Sequence, residues 1–488
     1  MITSAIETLM AEWEMVVGLE VHVQLKTRTK AFCACSTEFG APPNVNTCPV
    51  CLALPGALPV LNAKAVELAT RAALALNCMV QPASVFARKN YFYPDSPKGY
   101  QISQFDKPLA TGGYVEIGSR VDQSPIRVGV TRVHMEEDAG KSIHDRFPGV
   151  TAIDLNRSGT PLIEIVSEPD MRSAEQAGAY LRVLKQIMEY IDVSDVSMEE
   201  GSLRVDANVS ARRRGEMELG TRTEVKNMNS FSGVERALEV EFRRQVELLR
   251  GGGTVLQQTM LWDASAGEVR PSRTKEGSHD YRYFPEPDLP PLILSLDWIA
   301  KMRHDLPELP AARRARFVRD YALVSYDIDV LTANPRIADY YESVARTHGD
   351  AKAAANWVMG EVLAQLKSNG EDIAAFRVRP ADLAQLLDLV SGGVVTHTAA
   401  KQIFTRMVAT GDPPGQIAER EGLIKVDDDA QLAAWLDEVI ADMPAEAERY
   451  RNGEARLRGV MIGAAMKKSK GRADPKKLNQ LLAARLGS

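Results

Sequence analysis

Apolar and polar positions alternate one by one through several short stretches of the first 295 residues. In Gly18-Leu-Glu-Val-His-Val-Gln-Leu25, Leu19, Val21, Val23 and Leu25 share one side, and Glu20, His22 and Gln24 share the other. Val205, Ala207 and Val209 alternate in the same way with Arg204, Asp206, Asn208 and Ser210. A period of two with one polar side predicts half-buried strands, and the Gly, Pro, Asn and Asp residues between them predict turns. Helical spacing is interspersed at 63–76, 173–191 and 233–249. Strands with one polar face fit an antiparallel sheet better than a doubly wound parallel one, so the first block is expected to be α+β. After Pro285-Glu-Pro-Asp-Leu-Pro-Pro291 the strand signal fades and helical spacing takes over, as in Leu383, Leu386, Leu387 and Val390, then Leu432, Trp435, Leu436 and Val439. Asp412-Pro-Pro-Gly415 divides this helical half in two.

Composition changes this picture little. A chain of 488 residues is long enough for two to four domains, and 45% hydrophobic content excludes wholesale disorder. No uninterrupted apolar run approaches about 18 residues, so no membrane span is expected. The first fifteen residues are acidic and lack a basic stretch leading into a long apolar run, so a cytoplasmic location is expected. A net charge of -6 argues against a protein coated in nucleic acid, yet 451–488 carries ten basic residues against only Glu454 and Asp474. That tail is either an anion or RNA contact or a solvated helical surface.

Four of the five cysteines, Cys33, Cys35, Cys48 and Cys51, fall in the spacing C-x-C-x12-C-x2-C. In a reducing compartment that clustering points to a metal before disulfides, and four thiolates suit a closed tetrahedral Zn²⁺ site. Idle reduced thiols, or redox chemistry at Cys48-Pro-Val-Cys51, are the alternatives; Cys78 reads as a buried thiol. A second group is acidic. Glu20 and His22 share one side of a strand, and His134, Glu136, Glu137 and Asp138 crowd one motif. Glu164 sits within the apolar Pro161-Leu-Ile-Glu-Ile-Val166, where a lone carboxylate would cost several kcal/mol unless paired or metal-bound. Converging carboxylates with an imidazole would suit Mg²⁺ or Mn²⁺; the alternative is surface acids and hydrogen-bonded strand ends. Gly140-Lys141-Ser142 imitates the end of a phosphate-binding P-loop, but Met135 stands where the first glycine is needed, and the intervening acids would repel a polyphosphate. Arg88-Lys-Asn-Tyr-Phe-Tyr93, two cations followed by three aromatics, could pair phosphates and stack a purine, or form an ordinary packed loop.

Taken together, these strings resemble the B-subunit family of the tRNA-dependent amidotransferases. The resemblance rests on Val17-Gly-Leu-Glu-Val-His-Val-Gln-Leu25, Arg88-Lys-Asn-Tyr-Phe-Tyr-Pro-Asp95, Tyr100-Gln-Ile-Ser-Gln-Phe-Asp106 and His134-Met-Glu-Glu-Asp-Ala-Gly-Lys-Ser142. It rests also on Leu155-Asn-Arg157 and on the strings at 159–170, 197–204, 226–231 and 280–288, and it runs from about Trp13 to the C-terminus in family order. It implies a catalytic cradle with a largely antiparallel sheet over 1–296, an all-α helical domain over 297–412 and an all-α, YqeY-like, tRNA-gripping tail over 413–488. The implied activity is that of a carbon–nitrogen ligase. ATP phosphorylates the side-chain carboxylate of Glu-tRNA(Gln), Asp-tRNA(Asn) or both, and ammonia from a partner amidase (A) subunit then replaces the phosphate. A small C subunit completes the implied heterotrimer, and an aminoacyl-tRNA synthetase is a possible further partner. By the same resemblance, Glu20, His22, Glu137 and Glu164 carry the catalysis and, with Glu136 as the neighbouring candidate, bind magnesium. Arg88, Lys89, Tyr91, Ser202 and Arg204 are implied to bind ATP or the aminoacyl end, and the complete cysteine quartet implies an occupied zinc site.

Overall fold

The computed structural model describes residues 9–118, 125–144, 146–274, 281–426 and 428–487. The first eight residues and Asp280, the first residue of the 280–288 motif, lie outside them. The described chain is sheet-rich first and helical afterwards, and it divides into two compact units, Met1–Pro310 and Ala311–Ser488.

The first unit is built on a nine-stranded sheet. Its order is Glu268–Thr274, Gln258–Asp263, Thr223–Lys226, Leu203–Arg213, Trp13–Gln24, Pro161–Ser167, Pro125–Glu137, Ala110–Gly118 and Met79–Val80. All neighbours are antiparallel except Thr223–Lys226 beside Gln258–Asp263. Trp13–Gln24 is the middle strand, and its alternation decides what each face of the sheet does. Val17, Leu19, Val21 and Val23 are wholly buried in one apolar core with Leu181, Leu184 and Met188 of helix Ala174–Tyr190 and with Val234, Leu238 and Phe242 of helix Phe231–Arg250. Each such side chain contributes about 1.5–3 kcal/mol relative to exposure. Glu20, His22 and Gln24 are left on the opposite face.

The helices begin where the chain supplies caps. Asn62 accepts from the backbone N–H groups of Lys64 and Ala65 ahead of helix Ala63–Ala75. Ser173 and Ser230 do the same for Gln176 and Gly233 ahead of the two long helices. The first unit continues past the proline-rich stretch at 285–291 and past the expected boundary at 296. Helix Leu296–His304 still lays Trp298, Ile299 and Met302 on the sheet's core, so the unit ends only at Pro310.

The second unit is helical and holds two apolar cores. One runs from Phe317 to Leu423, and the other from Leu432 to Leu486. The first extends beyond the expected break at 412 because helix Pro414–Arg420 buries Ile417 and Ala418 in it. Its polar centre is Glu342, 6% exposed, which accepts from Arg313 Nη2 at 2.8 Å, Arg316 Nη1 at 2.6 Å, Arg346 Nη2 at 2.8 Å and the Tyr321 hydroxyl at 2.9 Å. Burial pushes this carboxyl up, but the hydrogen bonds from Arg316 and Tyr321 and the arginine charges outweigh it, lowering it to about 2. A depressed folded-state pKa stabilises the fold above the ordinary value of 4.5, and that contribution is lost as pH falls towards 2. Glu342→Gln is therefore expected to destabilise the helical unit by about 3 kcal/mol at neutral pH. In thermal denaturation at stepped pH, the gap between wild type and variant should close as pH falls from 4.5 towards 2. A gap independent of pH would assign the loss to packing instead.

Candidate active site

Strand register sets one row of polar side chains across the face of the sheet opposite the helices. Arg204 lies opposite His22, His22 opposite Glu164, and Glu164 opposite His134, on four successive strands. Directly opposed residues in antiparallel strands point to the same side, so the row is continuous. Glu136, two residues beyond His134 and opposite Leu162, joins the same side. His22 Nε2 stands 3.2 Å from Glu164 Oε2 and 3.4 Å from Glu136 Oε1, while His134 Nε2 stands 3.7 and 3.8 Å from the same two carboxylates. Glu136, Glu164 and His134 are buried, and His22 is half-buried at the mouth of the group.

His22 and the two carboxylates stabilise one another's charges. Burial pushes the His22 imidazole down, but the hydrogen bond to Glu164 and the charges of Glu164 and Glu136 outweigh it, raising it to about 9. Burial likewise pushes both carboxylates up, and the two imidazoles, His134 foremost, reverse the shift: Glu136 falls below its ordinary value and Glu164 well below it. Lys89 reinforces this. Burial pushes its half-buried ammonium down, but the charges of Glu136 and Glu164 outweigh that and raise it. One donor atom from each of His22, Glu136 and Glu164 lies within 4.8 Å of the other two, which is the spread of ligands around one cation. The His134 Nδ1 atom is buried and has no hydrogen-bond partner among the described residues. Two anionic oxygens, joined by the His22 nitrogen once a bound cation displaces its proton, fit a divalent ion such as Mg²⁺ or Mn²⁺.

The other expected residues divide between this group and its frame. Glu20 is on the same side, one pleat along, and accepts from Asn208 Nδ2 at 2.9 Å. Glu137 is not in the cluster. Successive strand residues face opposite ways, so Glu137 turns from Glu136 to meet Lys98 and the backbone N–H of Ile102. The same rule separates Arg88 from Lys89: Lys89 faces the acids, whereas Arg88 is committed to Glu286 and Asp288. Arg204 donates to Asp138 Oδ1 at 2.9 Å, and Asp138 also accepts from Gln24 Nε2 at 2.8 Å. Ser202 lines a cleft of about 740 Å³ with Gln24, Arg28 and Thr160, while Tyr91 lines a pocket of about 250 Å³ with Lys89, Tyr93, Gln101 and Tyr281.

The cysteine loop is a second cluster. The Sγ atoms of Cys33, Cys35, Cys48 and Cys51 all lie within 4.8 Å of one another, with Cys48 and Cys51 at 3.9 Å. Thiolates bound at about 2.3 Å to a tetrahedral zinc stand about 3.8 Å apart. The separation is far beyond a disulfide, and all four are free thiols. Buried Lys30 sends its ammonium to Asn46 O, Leu155 O and Cys51 Sγ, so a cation already leans on the sulfur cluster. The Cys51 thiol is lowered to about 4, first by its hydrogen bond with Cys33, whose own thiol is raised in consequence. The residues fit zinc.

Residues 15–300 match the family model described as the GatB/GatE catalytic domain, and residues 339–486 match the model described as the GatB domain. The chain belongs to the GatB family. A relative from Prosthecochloris aestuarii is 52% identical over 474 residues, covering 97% of this chain and 98% of its own length. One from Carboxydothermus hydrogenoformans is 51% identical over 476 residues, with 97% and 98% coverage. Each of these relatives is named as the B subunit of an aspartyl/glutamyl-tRNA(Asn/Gln) amidotransferase. This is the GatB resemblance that the sequence strings carry.

Within the GatB catalytic domain, sequence reading underweighted His134 and missed Lys98, Tyr281 and Tyr283. His134 was within reach: two residues before Glu136 in a strand, it must share that side. The tyrosines come from a segment nearly two hundred residues away and left no local signal. For the cysteine loop, metal analysis of the purified chain is expected to return about one zinc per chain. Cys48→Ser should lose it and lower the melting temperature of the first unit without shifting the second. Full-strength folding of a zinc-free quartet would point to idle thiols.

Proposed function

We propose that this chain is the B subunit of a tRNA-dependent amidotransferase, a carbon–nitrogen ligase that converts Glu-tRNA(Gln), Asp-tRNA(Asn) or both to the amide. The observation that carries the reading is the His22–Glu136–Glu164 group with Lys89 beside it, on the polar sheet face of a GatB/GatE catalytic domain.

A carboxylate cannot be amidated directly, because its oxygen is too poor a leaving group. In the proposed reaction the γ-phosphoryl of ATP passes to a side-chain oxygen of the tRNA-borne Glu or Asp, releasing ADP. Ammonia then attacks the carbonyl carbon, phosphate leaves with the C–O bond, and the nitrogen loses a proton. Both steps bring anions together, so catalysis is chiefly positioning and charge neutralisation. Glu136, Glu164 and His22 would hold the Mg²⁺ or Mn²⁺, with Glu20 adjacent. When bound, that ion supplies charge neutralisation at the phosphates and Lewis acidity. Lys89, kept charged by the acids around it, pairs phosphate oxygens. Tyr91 and Tyr281 wall the pocket beside Lys89 in which a purine can stack. Arg204, oriented by Asp138 and facing His22 across the strand pair, stands ready for the acyl phosphate or its carboxylate precursor. Ser202 and Gln24 border the larger cleft, which is open to the aminoacyl end.

In this reading ammonia comes from a partner amidase subunit, a small C subunit completes the heterotrimer, and the cysteine quartet holds a structural zinc. The basic tail grips tRNA, although Arg451, Arg456, Lys468, Lys477 and Arg485 each also meet an acid of their own unit. Among the described residues no helix is long and apolar enough to cross a membrane, which accords with a cytoplasmic site of action.

The test supplies the complex with Mg²⁺, ATP, ammonium chloride and either Glu-tRNA(Gln) or Asp-tRNA(Asn), and identifies the amino acid after deacylation. Gln or Asn formed only with ATP is expected, and the two tubes define substrate scope. Glu164→Gln should lower ATP-dependent amidation by about a hundredfold or more while leaving tRNA affinity near wild type. No amide in either tube with tRNA still bound would overturn the reading in favour of a catalytically silent RNA adaptor. Parallel loss of tRNA binding in the variant would make Glu164 structural.

A further inference from the structure

Arg88 and Glu286 form a long-range ion pair beside the site. Arg88 Nε donates to Glu286 Oε2 at 2.7 Å and Arg88 Nη2 to Glu286 Oε1 at 2.8 Å, a two-pronged contact, with Asp288 Oδ2 at 3.1 Å from the same nitrogen. The Glu286 side chain is fully enclosed, and the guanidinium is sandwiched by Tyr100 at 4.2 Å and Phe284 at 5.8 Å. The pair fastens residues 281–288 along strand Phe86–Asn90. Phe284 lies opposite Arg88, the Glu286 N–H donates to Phe86 O, and Asn90 donates from backbone and side chain to Tyr281 O. Between the fastened points stand Tyr281, whose ring lies 5.0 Å from Lys89 Nζ, and Tyr283, stacked on Phe105 at 4.2 Å. Arg282 between them is held at a positive φ of 45°, a strained conformation that persists only where the surroundings enforce it.

We propose that Arg88 and Glu286 are positioning residues whose ion pair straps the 281–288 segment in place, so that Tyr281, with Tyr283 edge-on against it, closes the wall of the nucleotide pocket beside Lys89. Arg88 thus serves the reaction through the tyrosines and does not itself touch phosphate. The inference rests on the reading of that pocket as the ATP site, but its structural half is measured separately.

The test uses the full complex with two substitutions, Glu286→Gln and Arg88→Lys, which keep size or charge but lose the two-pronged contact. Hydrogen exchange at the Asn90 and Glu286 amides is expected to quicken by about tenfold in both. KM for ATP should rise by about tenfold with kcat within about twofold, and the affinity for misacylated tRNA should hold. Combining Glu286→Gln with Tyr281→Ala should raise KM for ATP no further than Tyr281→Ala alone, because the pair acts through that ring. Unchanged exchange at the two amides would overturn the strap even if ATP-dependent amidation is intact. Quickened exchange with additive KM effects would overturn the route through Tyr281. A wild-type complex that never needs ATP would instead sink the functional reading and leave the exchange result standing.

Discussion

Two carboxylates and two imidazoles share the middle of the sheet's polar face, and the carboxylates and His22 hold one another's charges. Glu164 alone, 7% exposed within an apolar strand, would carry the full desolvation cost of an anion. With His22 at 3.2 Å and Lys89 also nearby, that cost is offset by opposite charge, and the Glu164 carboxylate stays ionised. Ionised carboxylates next to an imidazole near the surface are what a divalent cation can use. The balance that lets the sheet fold also keeps both carboxylates anionic and within reach of one point.

The remainder of the first unit serves that balance. Helices Ala174–Tyr190 and Phe231–Arg250 pack against one face of the sheet, which fixes the middle strand with its polar side turned away from that core. The opposite side is framed by polar clasps: Asp138 ties Gln24 and Arg204 together, Glu137 ties Lys98 and Ile102, and Arg88 ties the 281–288 segment. A carboxylate with two or three donors is costly to disturb. These clasps therefore tie Lys98 and the 281–288 segment to strand-borne groups.

The alternation in residues 18–25 was enough to place Glu20 and His22 on one side and the core on the other, and the long helices read correctly because their caps and apolar spacing are local. The family strings were equally legible, since each is a contiguous run. What the chain could not disclose was register. That Glu164 faces both His22 and His134 depends on how three strands slide against one another, and a shift of one residue would send Glu164 to the apolar face. The limits of a compact unit depend on distant sequence in a similar way. Pro-rich stretches mark turns, but whether helix Leu296–His304 belongs to the sheet is decided by Trp298 and Met302 docking on a core assembled from distant sequence.

Two adjacent pairs show how a strand divides labour between chemically equal residues. Arg88 and Lys89 are both cations, and Glu136 and Glu137 are both carboxylates, so neither composition nor motif tells the members apart. The pleat does. Lys89 and Glu136 turn to the cluster, while Arg88 and Glu137 turn to Glu286 and Lys98 and hold the frame. The choice within each pair also suits its chemistry. Arginine's planar fork makes the two-pronged bond that fastens a segment, whereas lysine's compact charge on a long stem can follow a phosphate through a reaction. Exchanging Arg88 and Lys89 would conserve net charge and local composition, yet it would put a weak single-point contact at the strap and a rigid fork beside the acids. The order of the two residues, and not their presence alone, is therefore under physical constraint.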